Sequence, residues 1–105
     1  MKYEIEFGKK IGFLGYDREF KCGDIVKHFK REYLRETDDP MMYLYQIIGV
    51  ASDVSTEKEG YYPMIVYKAL YGEEYLFVRT IQDFFSKVDK EKYPDTKQEY
   101  RFELI

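Results

Sequence analysis

The segment at residues 43–50 constrains the fold more than any other part of this chain. It reads Tyr-Leu-Tyr-Gln-Ile-Ile-Gly-Val and is apolar on nearly both faces of an extended backbone. A strand that is buried on both faces lies in the interior of a sheet, with other strands on either side. The sequence therefore predicts a sheet in which residues 43–50 form a central strand.

Further strands are predicted wherever apolar residues alternate with polar ones or where β-branched and aromatic residues cluster. They are expected at residues 3–7, 25–29, 64–71, 75–79 and 100–104. The polar segments 31–40 and 52–60 are interpreted as loops. Short strands joined by turns at such intervals are typical of a meander that closes into a small barrel.

The period of the apolar residues changes near the C-terminal end of the sequence. It becomes helical, with the spacing i, i+3, i+4 and i+7, at Ile81, Phe84, Phe85 and Val88. Thr80 precedes this run, and Asp83 three residues later completes a pattern like a capping box. The sequence thus predicts a mainly β fold, a small barrel of about five to seven strands with one short C-terminal helix at about residues 81–89.

Five segments carry a resemblance to a known family, and two of them are Tyr43 with residues 49–51 (Gly-Val-Ala) and residues 55–57 (Ser-Thr-Glu). Residues 27–30 read Lys-His-Phe-Lys, residues 65–72 read Ile-Val-Tyr-Lys-Ala-Leu-Tyr-Gly, and residues 76–79 read Leu-Phe-Val-Arg. In chain order, the five segments resemble the bacterial domain-of-unknown-function family 1653. The similarity extends over roughly residues 21–103.

The resemblance implies a small SH3-like β-barrel and no particular activity. Residues 23–26, Gly-Asp-Ile-Val, fit the entry strand of such a barrel. Residues 21–105 are expected to form this single domain, with residues 1–20 as an N-terminal strand or extension packed on it. Thr80 and Phe77 depart from the family pattern, which usually has proline and often has tryptophan at these positions.

Net charge and cysteine content restrict the classes of partner and compartment. The net charge of −3 argues against general binding to polyanions. Cys22 is the only cysteine, so no disulfide can form within the chain, which fits a reducing cytoplasm. No apolar stretch approaches the ~20 residues that span a bilayer, and the first residues lack the apolar run of a signal peptide. We therefore expect a cytoplasmic protein with no membrane partner.

His28 and Arg79 are candidate site residues, and each has a structural alternative. His28, the only histidine, could contact a ligand or act as an acid or base, or it could be partly buried and bonded to a backbone group. Arg79 ends an apolar strand, and its planar guanidinium could clamp a carboxylate or phosphate. It could equally form a structural ion pair with Glu57 or Asp83.

An aromatic surface is the other candidate for ligand binding. Tyr67 and Tyr71 share one face of a predicted strand, and Tyr43 and Tyr45 share a face of an earlier strand. If these faces adjoin, they form a platform of the kind that grips peptides or stacks bases, although the same rings could be core. Lys30 could contact a phosphate of the ligand, or it could be a solvated residue at a strand end.

No catalytic signature, metal-ligand spacing or cofactor motif occurs in the sequence, so we predict no catalytic residue, no metal and no cofactor. The favoured function is a non-catalytic binding module whose Tyr-rich face and Arg79 engage a protein or peptide, or a nucleotide-containing ligand, with Glu57 in a candidate ligand loop. A protein or peptide is favoured over nucleic acid because the net charge is negative. One alternative is a small enzyme acting on a phosphate- or carboxylate-bearing metabolite, with His28 as acid or base and Arg79 as anion clamp. The other is a subunit whose surface serves assembly.

Overall fold

The computed structural model describes residues 6–55 and 62–105. Expectations placed on the remaining residues, among them Glu57 and most of the strand expected at residues 3–7, lie outside the described part of the chain. The described residues contain seven strands and two short helices. The mainly β class predicted from the sequence is therefore confirmed.

The elements follow the chain with short connections. The strands are β1 (Lys10–Ile11), β2 (Phe20–Lys21), β3 (Ile25–His28), β4 (Leu44–Ser52), β5 (Pro63–Ala69), β6 (Leu76–Thr80) and β7 (Phe102–Leu104). The helices are a 3₁₀ helix at Phe29–Tyr33 and the α-helix α1 at Ile81–Phe84. The 3₁₀ helix includes residues 31–33, so the start of the predicted loop at residues 31–40 is helical.

A five-stranded antiparallel sheet in the order β6-β5-β4-β3-β7 organises the fold. β4 is the middle strand, as predicted for residues 43–50. Its Tyr45 and Ile47 are buried, and a β-bulge follows Ile47. β1 and β2 form a separate two-stranded sheet, and their Ile11 and Phe20 pack into the same core.

The predicted closure into a barrel is wrong for the part of the chain that the structure describes, because the edge strands β6 and β7 do not pair with each other. Side chains of α1 bridge this side of the sheet instead. Phe84 stacks on Phe102 of β7 with ring centroids 4.4 Å apart and meets Tyr67 of β5 at 5.4 Å. Because Phe84 and Phe102 are among the most deeply buried side chains, hydrophobic packing takes the place of backbone hydrogen bonds there.

The helix is shorter than the predicted residues 81–89, because it ends at Phe84. Its start agrees with the prediction, since Thr80 Oγ1 accepts a hydrogen bond from a first-turn backbone N–H at 3.1 Å. Beyond the helix, the backbone N–H of Val88 donates to the carbonyl of Glu99 at 2.9 Å. Val88 is therefore buried, as its apolar spacing requires, but through pairing with the C-terminal segment rather than through another helical turn.

Candidate functional site

Hydrogen bonds and ring contacts place the candidate residues that the structure describes next to one another. They are His28, Lys30, Tyr45, Tyr67, Tyr71 and Arg79. Tyr43 joins the two halves of this set, because its ring centroid lies 5.9 Å from His28 and 6.0 Å from Tyr71. The candidates are thus neighbours in space, and the surroundings of each decide what it can do.

His28 caps the 3₁₀ helix at Phe29–Tyr33. Its Nδ1 accepts a hydrogen bond from the backbone N–H of Lys30 at 3.1 Å. Its ring stacks on Phe29 with centroids 4.4 Å apart and meets Phe102 edge-on at 5.2 Å. Burial, and after it the charges of nearby arginine and lysine side chains, lowers the pKa of His28 to about 3. The imidazole is therefore neutral at pH 7, and its proton is assigned to Nε2 because Nδ1 is an acceptor.

Most of the expected Tyr-rich surface lies inside the protein. Tyr45 and Tyr67 are buried, and their rings pack edge to face with centroids 5.2 Å apart. The hydroxyls of Tyr45 and Tyr71 lie 2.8 Å apart, so one donates to the other. Burial and this hydrogen bond raise the pKa of Tyr45 far above its ordinary value. Only Tyr71 and Tyr43 remain half-buried at the edge of this group.

Arg79 is held by partners within the protein. Its Nε donates to the hydroxyl of Tyr67 at 2.7 Å, and its Nη1 donates to the carboxylate of Asp83. Arg101 lies 3.6 Å from the other oxygen of that carboxylate. The guanidinium of Arg79 also lies 5.6 Å from the centroid of the Phe102 ring. This is the structural ion pair with Asp83 that the sequence allowed, and it occupies the fork that an anionic ligand would need.

An open groove of about 470 Å³ lies beside the 3₁₀ helix, and Tyr43 connects it to the buried tyrosines. The groove, called the tyrosine groove below, is lined by Lys30, Tyr33, Leu34, Arg35, Asp38, Met42, Tyr43 and Tyr93. Tyr33 is 50% exposed, and its hydroxyl lies 2.6 Å from Thr96 Oγ1. Tyr93 packs edge to face on Phe29 at 4.8 Å. Two rings of the groove are therefore fixed in position without being covered.

The charges around the tyrosine groove are unevenly compensated. Arg35 and Asp38 form an ion pair at 3.5 Å. Lys30 is exposed and forms no ion pair with any residue in the described part of the chain. Arg31 shapes the groove wall, because its Nη1 donates to two backbone carbonyls across the loop at 2.8 Å each. The groove thus presents an uncompensated cation beside the exposed ring of Tyr33 and the half-buried rings of Tyr43 and Tyr93.

Sequence reasoning missed Tyr33 and Tyr93 as site residues. Tyr33 had a weak signal, since it and Leu34 are the main apolar residues in the otherwise polar segment 31–40. An aromatic residue that no strand or helix pattern requires is a candidate for surface contact. Tyr93 had no such signal, because only the tertiary structure brings it beside the 3₁₀ helix.

Residues 24–104 match the family model described as "Protein of unknown function (DUF1653)". This match spans most of the chain, including the five-stranded sheet and the tyrosine groove. The chain belongs to this family. No curated protein and no solved structure matches the chain. Membership in DUF1653 confirms the resemblance seen in the sequence and brings no activity with it, so the functional inference rests on geometry.

Three other chemical features bear on function. Within residues 6–55 and 62–105, no group of three or more His, Cys, Asp or Glu residues is placed to hold a metal ion. The same residues include no helix that is long and apolar enough to cross a membrane. Cys22 is buried, and burial raises the pKa of its thiol, which favours the less reactive protonated form.

Proposed function

We propose that this protein is a non-catalytic binding module for an extended segment of a protein partner, and that the tyrosine groove receives this segment. The observation that carries the proposal is the fixed, exposed ring of Tyr33 and the half-buried ring of Tyr93 beside the uncompensated cation of Lys30. The Tyr-rich binding face is thus assigned to Tyr33, Tyr43 and Tyr93 instead of the buried tyrosines of the sheet. We further propose that the protein acts in the cytoplasm, because its only cysteine is unpaired.

The rings of the groove favour a peptide ligand. Tyrosine offers a large contact area at a low cost in conformational entropy, and aromatic-lined grooves hold extended or polyproline II segments. Tyr33 and Tyr93 are already held by Thr96 and Phe29, so binding need not order them. The groove volume of about 470 Å³ also falls within the range of about 300–1,000 Å³ that is common for ligand sites.

The charge at the groove favours a ligand that carries a carboxylate next to its apolar contact. Lys30 can form a charge-assisted hydrogen bond with one acidic side chain. Nucleic-acid binding depends instead on several simultaneous phosphate contacts. Arg35 is already paired with Asp38, and the chain has a net charge of −3, so a phosphate backbone finds few cations here. A protein segment is therefore favoured over RNA or DNA.

The enzymatic alternative receives little support from the same geometry. General acid–base catalysis is most effective when the pKa of the catalytic group is near the operating pH. The pKa of His28 is about 3, and its Nδ1 already accepts a backbone hydrogen bond. Arg79 is bound to Tyr67 and Asp83. We therefore propose no catalytic role for His28 and no anion-clamping role for Arg79.

A ¹⁵N-HSQC titration with separate pools of short peptides, short single-stranded RNA and DNA, and nucleotides tests the proposal. We expect peptides with both apolar and acidic residues to shift the amide signals of Lys30, Tyr33 and Tyr93. Shifts of this set with nucleic acid or nucleotides alone would overturn the assigned class of ligand. Absence of shifts in the groove with every pool would overturn the binding site itself.

Two matched variants separate the tyrosine groove from a general aromatic contact. Tyr33→Ser removes a half-exposed ring from the groove, and we expect the affinity for the selected peptide to fall about tenfold or more, as for an aromatic anchor at an interface. Tyr16→Ser removes a 38% exposed ring that stacks on Phe85 outside the groove, and it should leave the affinity unchanged. An equal effect of the two substitutions would contradict binding in the groove.

A further inference from the structure

The outer edge of β6 has no strand partner within the described residues. The segment Tyr75-Leu76-Phe77-Val78 along this edge carries no charge. Tyr75 is 65% exposed, Phe77 41% and Val78 56%. Natural sheets protect their free edges with charged side chains, proline, bulges or very short strands, because an open edge can pair with another chain. The opposite edge, β7, is only three residues long and carries Glu103. β6 is five residues long, and its one charged side chain, Arg79, bonds to Tyr67 and Asp83 within the protein.

The hydrogen-bonding pattern of β5 and β6 shows which backbone groups of β6 are free. The N–H of Ala69 donates to the carbonyl of Tyr75 at 3.0 Å, and Phe77 lies opposite Tyr67 in the register. In an antiparallel pair the backbone N–H and C=O groups of alternate residues point to the same neighbour. Phe77 therefore bonds to β5, while Leu76 and Val78 direct their N–H and C=O groups away from the sheet.

We propose that the edge of β6 pairs with β6 of a second copy of this chain, antiparallel and about a two-fold axis at Phe77. This register places Leu76 opposite Val78 of the second copy, so the outward N–H and C=O groups of both residues are satisfied at once. The two Phe77 rings then form a non-hydrogen-bonded pair, in which opposite side chains come closest. Because an isologous contact uses the same patch of both copies, the apolar run 75–78 of each copy is covered by the same run of the other.

The charges at the two ends of β6 support the antiparallel arrangement. Glu73 and Glu74 lie in the turn before the strand, and Lys68 lies 4.0 Å from the Glu74 carboxylate, so this end has one surplus negative charge. At the other end, Arg79 and Arg101 share the single carboxylate of Asp83, which leaves this cluster with a surplus positive charge. Antiparallel pairing brings the acidic end of one copy to the basic end of the other, and parallel pairing would bring like charges together.

The edge of β6 and the tyrosine groove are separate surfaces. β4 and β5 lie between this edge and β3, and β3 leads into the groove, so the inference does not depend on the proposed peptide binding.

Sedimentation velocity and hydrogen exchange on the full chain test the proposal. A five-residue edge buries less than a standard interface of about 1,600 Å², so we expect a reversible dimer that appears between about 10 µM and 1 mM protein. As the dimer forms, exchange of the Leu76 and Val78 amides should slow about tenfold or more. Exchange of the Phe77 amide should not change with concentration, because that N–H already bonds to β5.

A charge substitution provides the matched comparison. Val78→Lys places an ammonium opposite the apolar Leu76 of the second copy and should weaken dimerisation at least tenfold. Leu14→Lys makes the same change at a fully exposed apolar residue away from β6 and should leave dimerisation unchanged. A chain that stays monomeric at all these concentrations would overturn the proposal, and so would a dimer that leaves the exchange of Leu76 and Val78 unaltered. The exchange experiment uses the wild-type chain, so it decides the question even if Val78→Lys does not fold.

Discussion

Replacing His28 with asparagine should make the stability of this protein less sensitive to acid. Burial lowers the pKa of His28 from 6.5 to about 3 in the folded state, while in the unfolded chain it has its ordinary value. Between these two pKa values the unfolded state binds a proton that the folded state does not. The free energy of unfolding therefore decreases as the pH falls below 6.5, and this contribution stops changing once the pH is below about 3.

The size of the effect follows from the difference between the pH and the unfolded pKa. At about pH 4.5 an unfolded histidine is two pH units below its pKa, which corresponds to a loss of about 2.7 kcal/mol relative to the neutral state. Asparagine does not titrate, and its side-chain oxygen can still accept the hydrogen bond from Lys30 as a helix cap. His28→Asn also loses ring contacts with Phe29 and Phe102, so it should be less stable than the wild type at both pH values.

Urea unfolding at pH 7 and at about pH 4.5 measures this contribution. The decrease in unfolding free energy between the two pH values should be about 2.7 kcal/mol larger for the wild type than for His28→Asn, because the carboxylates contribute almost equally to both. NMR of the His28 ring in the wild type gives an independent measurement and should show no titration between these pH values. Equal pH dependence of the two proteins, or a ring that titrates near pH 6.5, would refute the assignment of His28 as a buried neutral cap.

Two further substitutions test the backbone and the ion-pair network. Gly23 has a φ of +93°, and a Cβ there would collide with the ring of Phe7, so Gly23→Ala should lower the unfolding free energy by about 1–2 kcal/mol. Gly49→Ala is the control, since its Cβ would meet no atom within 4 Å, and an equal loss in urea unfolding would contradict the conformational explanation. Arg79→Lys removes the planar fork that reaches Tyr67 and a carboxylate together, which should cost about 1–2 kcal/mol in thermal or urea unfolding. An unchanged midpoint would mean that these hydrogen bonds contribute nothing net.

The burial of the tyrosines shows where sequence patterns lose information. Along β5, Ile65, Tyr67 and Ala69 alternate with Val66 and Lys68, and both sets contain apolar residues. Alternation establishes which residues share a face, but here it does not show which face is the core. The structure resolves this by packing α1 against the face that carries Tyr67. The expected aromatic platform thus became part of the core, and only its margin at Tyr43 and Tyr71 approaches the surface.

The end of the helix and the composition of the groove depended on contacts between distant segments. The apolar spacing after Thr80 continues to Val88, but a hydrogen bond from Val88 to Glu99 replaces the next helical turn. Likewise, Tyr33 and Tyr93 are far apart in the sequence and meet only because Tyr93 packs against the 3₁₀ helix at its first residue, Phe29. No local pattern contains either contact.

By itself, the sequence determined the mainly β class, the central position of residues 43–50, the cap at Thr80 and membership in the family. These features follow from local hydrophobic pattern, from hydrogen bonds between near neighbours in the chain, or from the order of short motifs. Only the tertiary structure decided that, within the residues it describes, the sheet stays open, His28 and Arg79 are engaged internally, and β6 has an unpaired edge. Those outcomes depend on which surfaces are buried together, and burial is a property of the whole fold rather than of any one segment.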